Sequence, residues 1–375
     1  MKKIFWGIQS LVGIGGTETV SIKLMNLLSD YYEIHLISTA KIDEKISYKL
    51  DKRIVIHSLN IPLEVIRFDE TFLKNNKDHK FFKNIALIHK VIKYFIFKRN
   101  KIRKSIKNMM DVDSFYIGSA IDSYMYAPKI KNVFYHFHFD AKRYFGFINK
   151  VVFKLSTKPR KIIFLAKSIE EEVLKKRKKL INKTTYIYNP IRFSSVYSNE
   201  YHNNSLIFVG RFSEQKNPLF ALKIAKILHD KDFNFNFKMY GEGHYLDEMN
   251  KFKNDYNLTE LKIINHHVVS QNDYLNSDLL VFTSIYEGFP LVIGEANSAS
   301  LPVISTNWHG TINESIDNGK SGWIIDSNDP NVFVDMIIRI LNNKYKLIET
   351  KKNAYEFSKR LDGKNIVIKW VDLLK

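Results

Sequence analysis

Two carboxylates eight positions apart, Glu287 and Glu295, stand in the stretch Tyr286–Ala299, which reads Y-E-G-F-P-L-V-I-G-E-A-N-S-A. Carboxylates accept hydrogen bonds from hydroxyls, so one can meet a sugar while the other meets a ribose. Before them, Ser277–Ser284 (S-D-L-L-V-F-T-S) reads as a short buried strand, because Leu, Val and Phe form one apolar run. Pro290 suits a first helical turn, where its missing N–H is no loss. The order is therefore strand, tight turn, helix. Free backbone N–H groups at such a helix start attract an anion. The plan is that of a nucleotide-sugar holder.

Cations stand where a second strand ends. Gly210-Arg211 follows the apolar run 206–209, and Lys216 comes five residues later in G-R-F-S-E-Q-K-N-P. An Arg fork and a Lys point charge stabilise a diphosphate as it departs. The next run ends in Tyr240-Gly241-Glu242-Gly243, and the first in V-G-I-G-G-T-E at 12–18, with glycines at 13, 15 and 16. That spacing is not the dinucleotide G-x-G-x-x-G fingerprint. Tyr135–Asp140 reads Y-H-F-H-F-D, which puts His136 at a strand end and His138 two residues on. Two histidines without matched Cys or carboxylate partners are poor zinc evidence. Asp111-Val112-Asp113 precedes a strand, the wrong end for a parallel-sheet site, and reads as a turn. No metal and no cofactor are expected.

These elements need a scaffold. A chain of 375 residues suggests two domains. Short apolar runs alternate with longer mixed segments in two series. The first has strands at 3–8, 33–38, 53–57, 114–118, 132–135 and 161–165, and a helix over 17–28. The second has strands at 205–210, 235–240, 261–264, 279–283 and 302–306. Such alternation predicts doubly wound α/β domains, with ligands at the carboxyl ends of the strands. The Pro-, Ser- and Asn-containing stretch 191–204 reads as the linker. Domains are expected at 1–190 and 205–353, with 354–375 packing back toward the first.

Taken in order, these motifs resemble those of family 4 glycosyltransferases, retaining enzymes of the GT-B fold such as bacterial capsule, O-antigen and lipopolysaccharide transferases. The resemblance rests on Gly15-Gly16, the histidine, the Gly-Arg-Lys element and the Glu-x7-Glu motif, and covers nearly the whole chain. It implies two Rossmann-like domains facing a central cleft. It implies transfer of a hexose or N-acetylhexosamine from a nucleoside-diphosphate sugar, by family analogy a UDP-sugar, to a glycan or lipid-linked acceptor. On that basis Arg211 and Lys216 hold the diphosphate, Glu295 the ribose, and Glu287 with the backbone of Gly288, Phe289, Pro290 and Leu291 the sugar. Gly15, Gly16 and Gly210 line the donor phosphates, Gly241 and Gly243 lie near the base, and His136, with His138 as its rival, meets the sugar. His309-Gly310 stands where relatives commonly have Gly-Gly.

Composition adds a charge argument. Fifty-eight Lys and Arg against 39 Asp and Glu give +19, concentrated at 98–107 and 174–183. Such runs suit an anionic membrane surface, and the basic aromatic stretch 81–107 reads as an amphipathic helix. The apolar runs fall short of a membrane span, so a cytoplasmic protein, peripheral on the inner membrane face, is expected. A nucleic-acid or polyanion binder is the rival that the charge alone allows, but no nucleic-acid module accompanies it. An epimerase or phosphorylase on the same fold is the rival within α/β proteins.

Overall fold

The computed structural model describes residues 1–11, 16–42, 49–62, 83, 85–86, 89–90, 93–138, 140–308 and 310–375. The chain forms two compact units, Met1–Pro190 with Val367–Lys375, and Ile191–Ile366. Residues 191–204, the expected linker, therefore belong to the second unit, and the first unit recovers only the last nine residues of the tail.

Among the described residues the first unit contains seven parallel strands. They are β1 Lys3–Ile8, β2 Glu33–Ala40, β3 Val55–Ile61, β4 Phe115–Gly118, β5 Val133–Phe137, β6 Lys161–Phe164 and β7 Thr184–Tyr186, in the order β3-β2-β1-β4-β5-β6-β7. The central strands are apolar throughout because helices cover both faces of such a sheet. Every residue of β4 and β5 is buried. Strand β3 starts two residues later than expected and runs on to Ile61. Within 81–107, the described residues 83, 85–86 and 89–90 are helical, Lys93–Phe97 form a π-helical turn, and a helix over Arg99–Asn108 follows after a break at Lys98; 81–82, 84, 87–88 and 91–92 lie outside the described residues. Asp111–Asp113 do form a turn ahead of β4, and Asp111 pairs with Lys3 at 3.0 Å.

The second unit has six parallel strands: β8 Ser205–Val209, β9 Asn236–Tyr240, β10 Leu261–Ile264, β11 Leu279–Phe282, β12 Val303–Thr306 and β13 Gly322–Ile325. Their order is β10-β9-β8-β11-β12-β13. The chain reverses direction across the sheet between β8 and β11, the crevice where doubly wound folds bind ligands. The helices Pro218–Asp230 and Pro330–Asn342 cover one face, burying Leu222, Ile224, Phe333 and Ile337 against Phe208, Phe237 and Val281.

This unit is also pinned from within. Asp278, wholly buried at the start of β11, accepts the backbone N–H groups of His202 (3.0 Å to each oxygen) and Ser205 (3.1 Å). Lys351, on the helix Lys344–Ser358, lies 3.2 Å from the same carboxylate and also donates to the Glu200 carbonyl. Among the described residues no helix is long and apolar enough to cross a membrane.

Candidate active site

The site of the second unit is built at the carboxyl ends of β8 and β11. After β8 the chain makes a 3-10 turn, Glu214–Lys216, then Asn217 takes a left-handed conformation (φ 48°) and Pro218 opens the next helix. Asn tolerates that region better than most residues. Across the crevice, the Thr283 hydroxyl donates to the carbonyls of Lys216 and Asn217, both at 2.9 Å, and Gln215 Nε2 donates to the Tyr286 carbonyl at 3.1 Å. The Ile285 N–H reaches the Gln215 carbonyl at 2.8 Å. These bonds lace the two loops together, so the residues 71 positions apart are held as one surface.

On that surface Lys216 Nζ lies 2.6 Å from Glu287 Oε1, with the two side chains 14% and 9% exposed. The Lys216 stem passes over Gly210, where an added Cβ would meet Lys216 Cγ at 3.3 Å. Its ammonium sits 5.1 Å from the centre of the Phe282 ring. Sequence reasoning assigned Lys216 and Glu287 to different parts of a donor; the structure places them on each other. Arg211 is exposed and touches Gln215 at 3.4 Å, the loose end of hydrogen-bond range.

Glu295 is buried at 8% exposure on the helix Leu291–Ser298. Pro290 is the residue just before that helix, with extended backbone (ψ 112°), and not within its first turn as expected. Phe289 and Pro290 are buried, and the Gly288 carbonyl accepts the Thr311 hydroxyl at 2.5 Å, which fixes the turn. Two partners of Glu295 escaped the sequence reading. Arg192 Nε lies 3.5 Å from Oε1, and the buried Tyr274 hydroxyl donates to Oε2 at 3.1 Å. Arg192 is further fixed by donating to the Val269 carbonyl at 2.6 Å and by stacking 4.3 Å from Phe193. Burial, and then the neighbouring Glu295 charge, push the Tyr274 hydroxyl well above its ordinary range, so it remains a donor. Removing it by Tyr274→Phe should raise the KM for the donor several-fold while leaving kcat within about twofold, as expected for lost orientation of a ground-state contact. Steady-state kinetics checks this.

Gly241 and Gly243 have a packing cause. A Cβ on Gly241 would lie 1.9 Å from the Gly210 carbonyl oxygen, and one on Gly243 2.2 Å from that of Phe212. The Phe212 N–H donates to the Glu242 carbonyl at 2.8 Å across this contact. The glycines let the loops after β8 and β9 touch backbone to backbone.

In the first unit, Gly16 is the exposed first residue of the helix Gly16–Leu28, with open space around its Cα. Gly15 and His309 lie outside the described residues. His136 is not at a strand end: β5 runs two residues past the expected boundary and encloses it. It is 1% exposed, its ring 6.3 Å from Trp6, 5.1 Å from Trp370 and 4.0 Å from His138. His138 is the first residue past the strand and is partly exposed. Burial drives both imidazoles down, His138 to about 3, so both are neutral at pH 7.

The reversal point of this sheet, between β1 and β4, holds a carboxyl that no motif announced. Asp122 follows β4 in the short helix Ile121–Tyr126 and is 5% exposed. Burial pushes it up to about 6, against the opposing pull of the Thr39 hydroxyl. The folded state therefore holds its proton where the unfolded chain has released it, so this group lowers stability as pH rises from the unfolded value through 6. Asp122→Asn should stabilise the unit at pH 8 by about 3 kcal/mol at most, and by nothing below about pH 4. Thermal unfolding of both proteins across that range checks the sign. Among the described residues no group of three or more acidic or imidazole side chains is placed to hold a metal.

Comparison with known proteins fits this geometry. Residues 195–357 match the family described as Glycosyl transferases group 1. The chain is 27% identical over 364 residues to an uncharacterized glycosyltransferase of Methanocaldococcus jannaschii, covering 95% of this chain and 93% of that one. It is 33% identical over 181 residues to the UDP-Gal:alpha-D-GlcNAc-diphosphoundecaprenol alpha-1,3-galactosyltransferase of Escherichia coli, covering 46% and 45%. Among solved structures, HepE of Anabaena in complex with UDP and glucose superposes with a TM-score of 0.75 at 16% identity, covering 100% of this chain and 99% of that one. Over residues 195–357 the second unit matches the group 1 glycosyltransferases, which with the glycosyltransferase relatives supports a transferase enzyme, and the two Rossmann-like domains are those of the GT-B fold.

Proposed function

We propose that the protein transfers a hexose or N-acetylhexosamine, with retention, from a UDP-sugar to a glycan or lipid-linked glycan in surface polysaccharide assembly. The observation that carries this reading is the largely enclosed Lys216–Glu287 pair at the reversal point of the second sheet. An ammonium and a carboxylate in contact there offer a donor both of its needs, a cation for the diphosphate and an acceptor for sugar hydroxyls. The printed names of the Escherichia coli relative and of HepE, with UDP-Gal, a diphosphoundecaprenol acceptor and UDP, support the nucleotide and the acceptor class.

In this mechanism the arriving diphosphate takes Lys216 from Glu287, and exposed Arg211 swings onto it as a second cation. Glu287, released, accepts hydroxyls of the sugar. Glu295, already held by Arg192 and Tyr274, accepts the ribose hydroxyls without further ordering. The bond from the anomeric carbon to the diphosphate breaks with its electron pair leaving on the diphosphate oxygen. The acceptor oxygen bonds the same face of that carbon, and its proton passes to the departing diphosphate. In this reading His138, and not His136, which is enclosed by Trp6 and Trp370, meets a sugar hydroxyl as a neutral hydrogen-bonding group. The enzyme works on the inner face of the membrane.

Purified protein incubated with a panel of nucleoside-diphosphate sugars tests this, with release of free nucleotide as the readout and Glu287→Ala as the control. Turnover of one UDP-sugar, lost in the control and stimulated by membrane glycolipid, is the expected result. Equal inertness of both proteins toward every donor would sink the reading.

A further inference from the structure

The first unit contains a concavity of about 1020 Å³ that the transfer chemistry does not use. Eight of its twelve lining residues are Lys or Arg and none is acidic, so a bound ligand must supply the negative charge. The cations come from the helix Phe147–Leu155 (Lys150, Lys154), from Lys158, and from Lys175–Lys179 at the end of the helix Lys167–Lys176 and in the turn after it. Among the described residues Glu172 approaches Lys176 only to 4.0 Å and no closer carboxylate meets these cations. The end of the helix Phe147–Leu155 is fixed by two arginines of the helix Arg99–Asn108. Arg99 donates to the Leu155 carbonyl at 3.4 Å and Arg103 at 3.0 Å. That contact ties the first basic stretch, 98–107, to the helix that supplies Lys150 and Lys154.

The surface is not only basic. Val151 is 40% and Leu155 39% exposed on the helix that carries Lys150 and Lys154, and Ile181, two residues after Lys179, is 67% exposed. A soluble phosphate has no use for exposed apolar side chains; a lipid headgroup with acyl chains beneath it uses both. Nucleic acid would need free aromatic faces for stacking. The aromatic rings of the concavity are taken: Phe153 packs among Tyr124, Phe137 and Tyr144, and Phe145 against Tyr144 and Lys176.

We infer that this concavity is a headgroup site for anionic phospholipid, through which the first unit docks on a bilayer. The phosphate enters between Lys154, Lys158 and Lys178, while Val151, Leu155 and Ile181 reach the acyl boundary. The inference deepens the membrane-facing part of the proposed function and rests on it only for its purpose, not for its binding.

Co-sedimentation of the full chain with vesicles of phosphatidylcholine, with and without phosphatidylglycerol, tests it. Lys154→Glu/Lys158→Glu/Lys178→Glu should weaken binding to the anionic vesicles about a hundredfold, since each basic residue near such a surface contributes about one kcal/mol. The control Lys223→Glu/Lys251→Glu/Lys352→Glu, equal in charge and on exposed positions of the second unit, should bind as the unaltered protein does. Thermal unfolding confirms that both variants fold. Equal loss in the control, or no preference for phosphatidylglycerol, overturns the site. So does binding of inorganic pyrophosphate or single-stranded DNA through the same lysines without vesicle binding. Unaltered protein that turns over a donor but ignores vesicles refutes the site and spares the transferase; vesicle binding without turnover of any donor does the reverse.

Discussion

Lys216→Ala should lower kcat for sugar transfer by about a thousandfold, because removing one preorganised charge from a departing group costs roughly 10²–10³ in rate. The same change strands Glu287, 9% exposed and 2.6 Å from where the ammonium was. Breaking a buried pair by removing one partner costs about 3 kcal/mol or more, whereas removing both costs much less. The double variant Lys216→Ala/Glu287→Gln should therefore recover most of the lost stability and none of the rate. Lys216→Arg should remain poor, since the stem runs so close to Gly210 that an added Cβ there would meet its Cγ at 3.3 Å, and a broad guanidinium does not follow the same path. Thermal unfolding and single-turnover kinetics on the set separate the two effects. Wild-type kcat in the alanine variant would end the assignment of Lys216 to the diphosphate.

Asp278→Ala has the largest expected effect on stability, about 3–5 kcal/mol, a large part of a typical domain's total. The carboxylate is wholly buried and answers the His202 and Ser205 N–H groups together with Lys351, whose side chain is 3% exposed. Burial pushes the Lys351 ammonium down and Asp278 pulls it back. Without Asp278, that ammonium keeps among the described residues the Glu200 and Ser277 carbonyls, and the N–H groups of His202 and buried Ser205 lose their acceptor. Lys351→Met should be much milder, because Asp278 keeps its backbone donors and the methionine fills the space. The melting temperature of Asp278→Ala should thus fall well below that of Lys351→Met. Equal values would mean that the pair, and not the backbone bonds, carries the stabilisation.

Much of this architecture could be read from local pattern. Buried parallel strands are continuous apolar runs, so Leu279–Phe282 and Leu261–Ile264 announce themselves. Strands β7 and β13 went unread. Thr184–Tyr186 has three residues and Gly322–Ile325 four, beginning with glycine, and both become strands only by pairing with β6 and β12. The β5 boundary fell short for a related reason: His136 pairs with Ile163 on β6, a long-range fact that overrides the polarity of histidine. The glutamates were visible because they flank a Gly-Phe-Pro turn. Their partners were not: Lys216 is 71 residues from Glu287, and Arg192 is 103 from Glu295. Asp278 looks in sequence like an ordinary residue before a strand, and only its burial reveals its work.

The return of Val367–Lys375 to the first unit has a consequence for how the molecule is made. Trp370, wholly buried, sits 5.3 Å from Trp6 and 5.1 Å from His136, and Leu374 is buried with it. Val367 is translated 177 residues after Pro190, once the whole second unit has been synthesised. Until then Trp6 and His136 lack the Trp370 ring that covers them, so the core of the first unit is incomplete until Val367–Lys375 returns to it. The two units therefore begin folding in chain order, while the first completes its core only after the second has been synthesised.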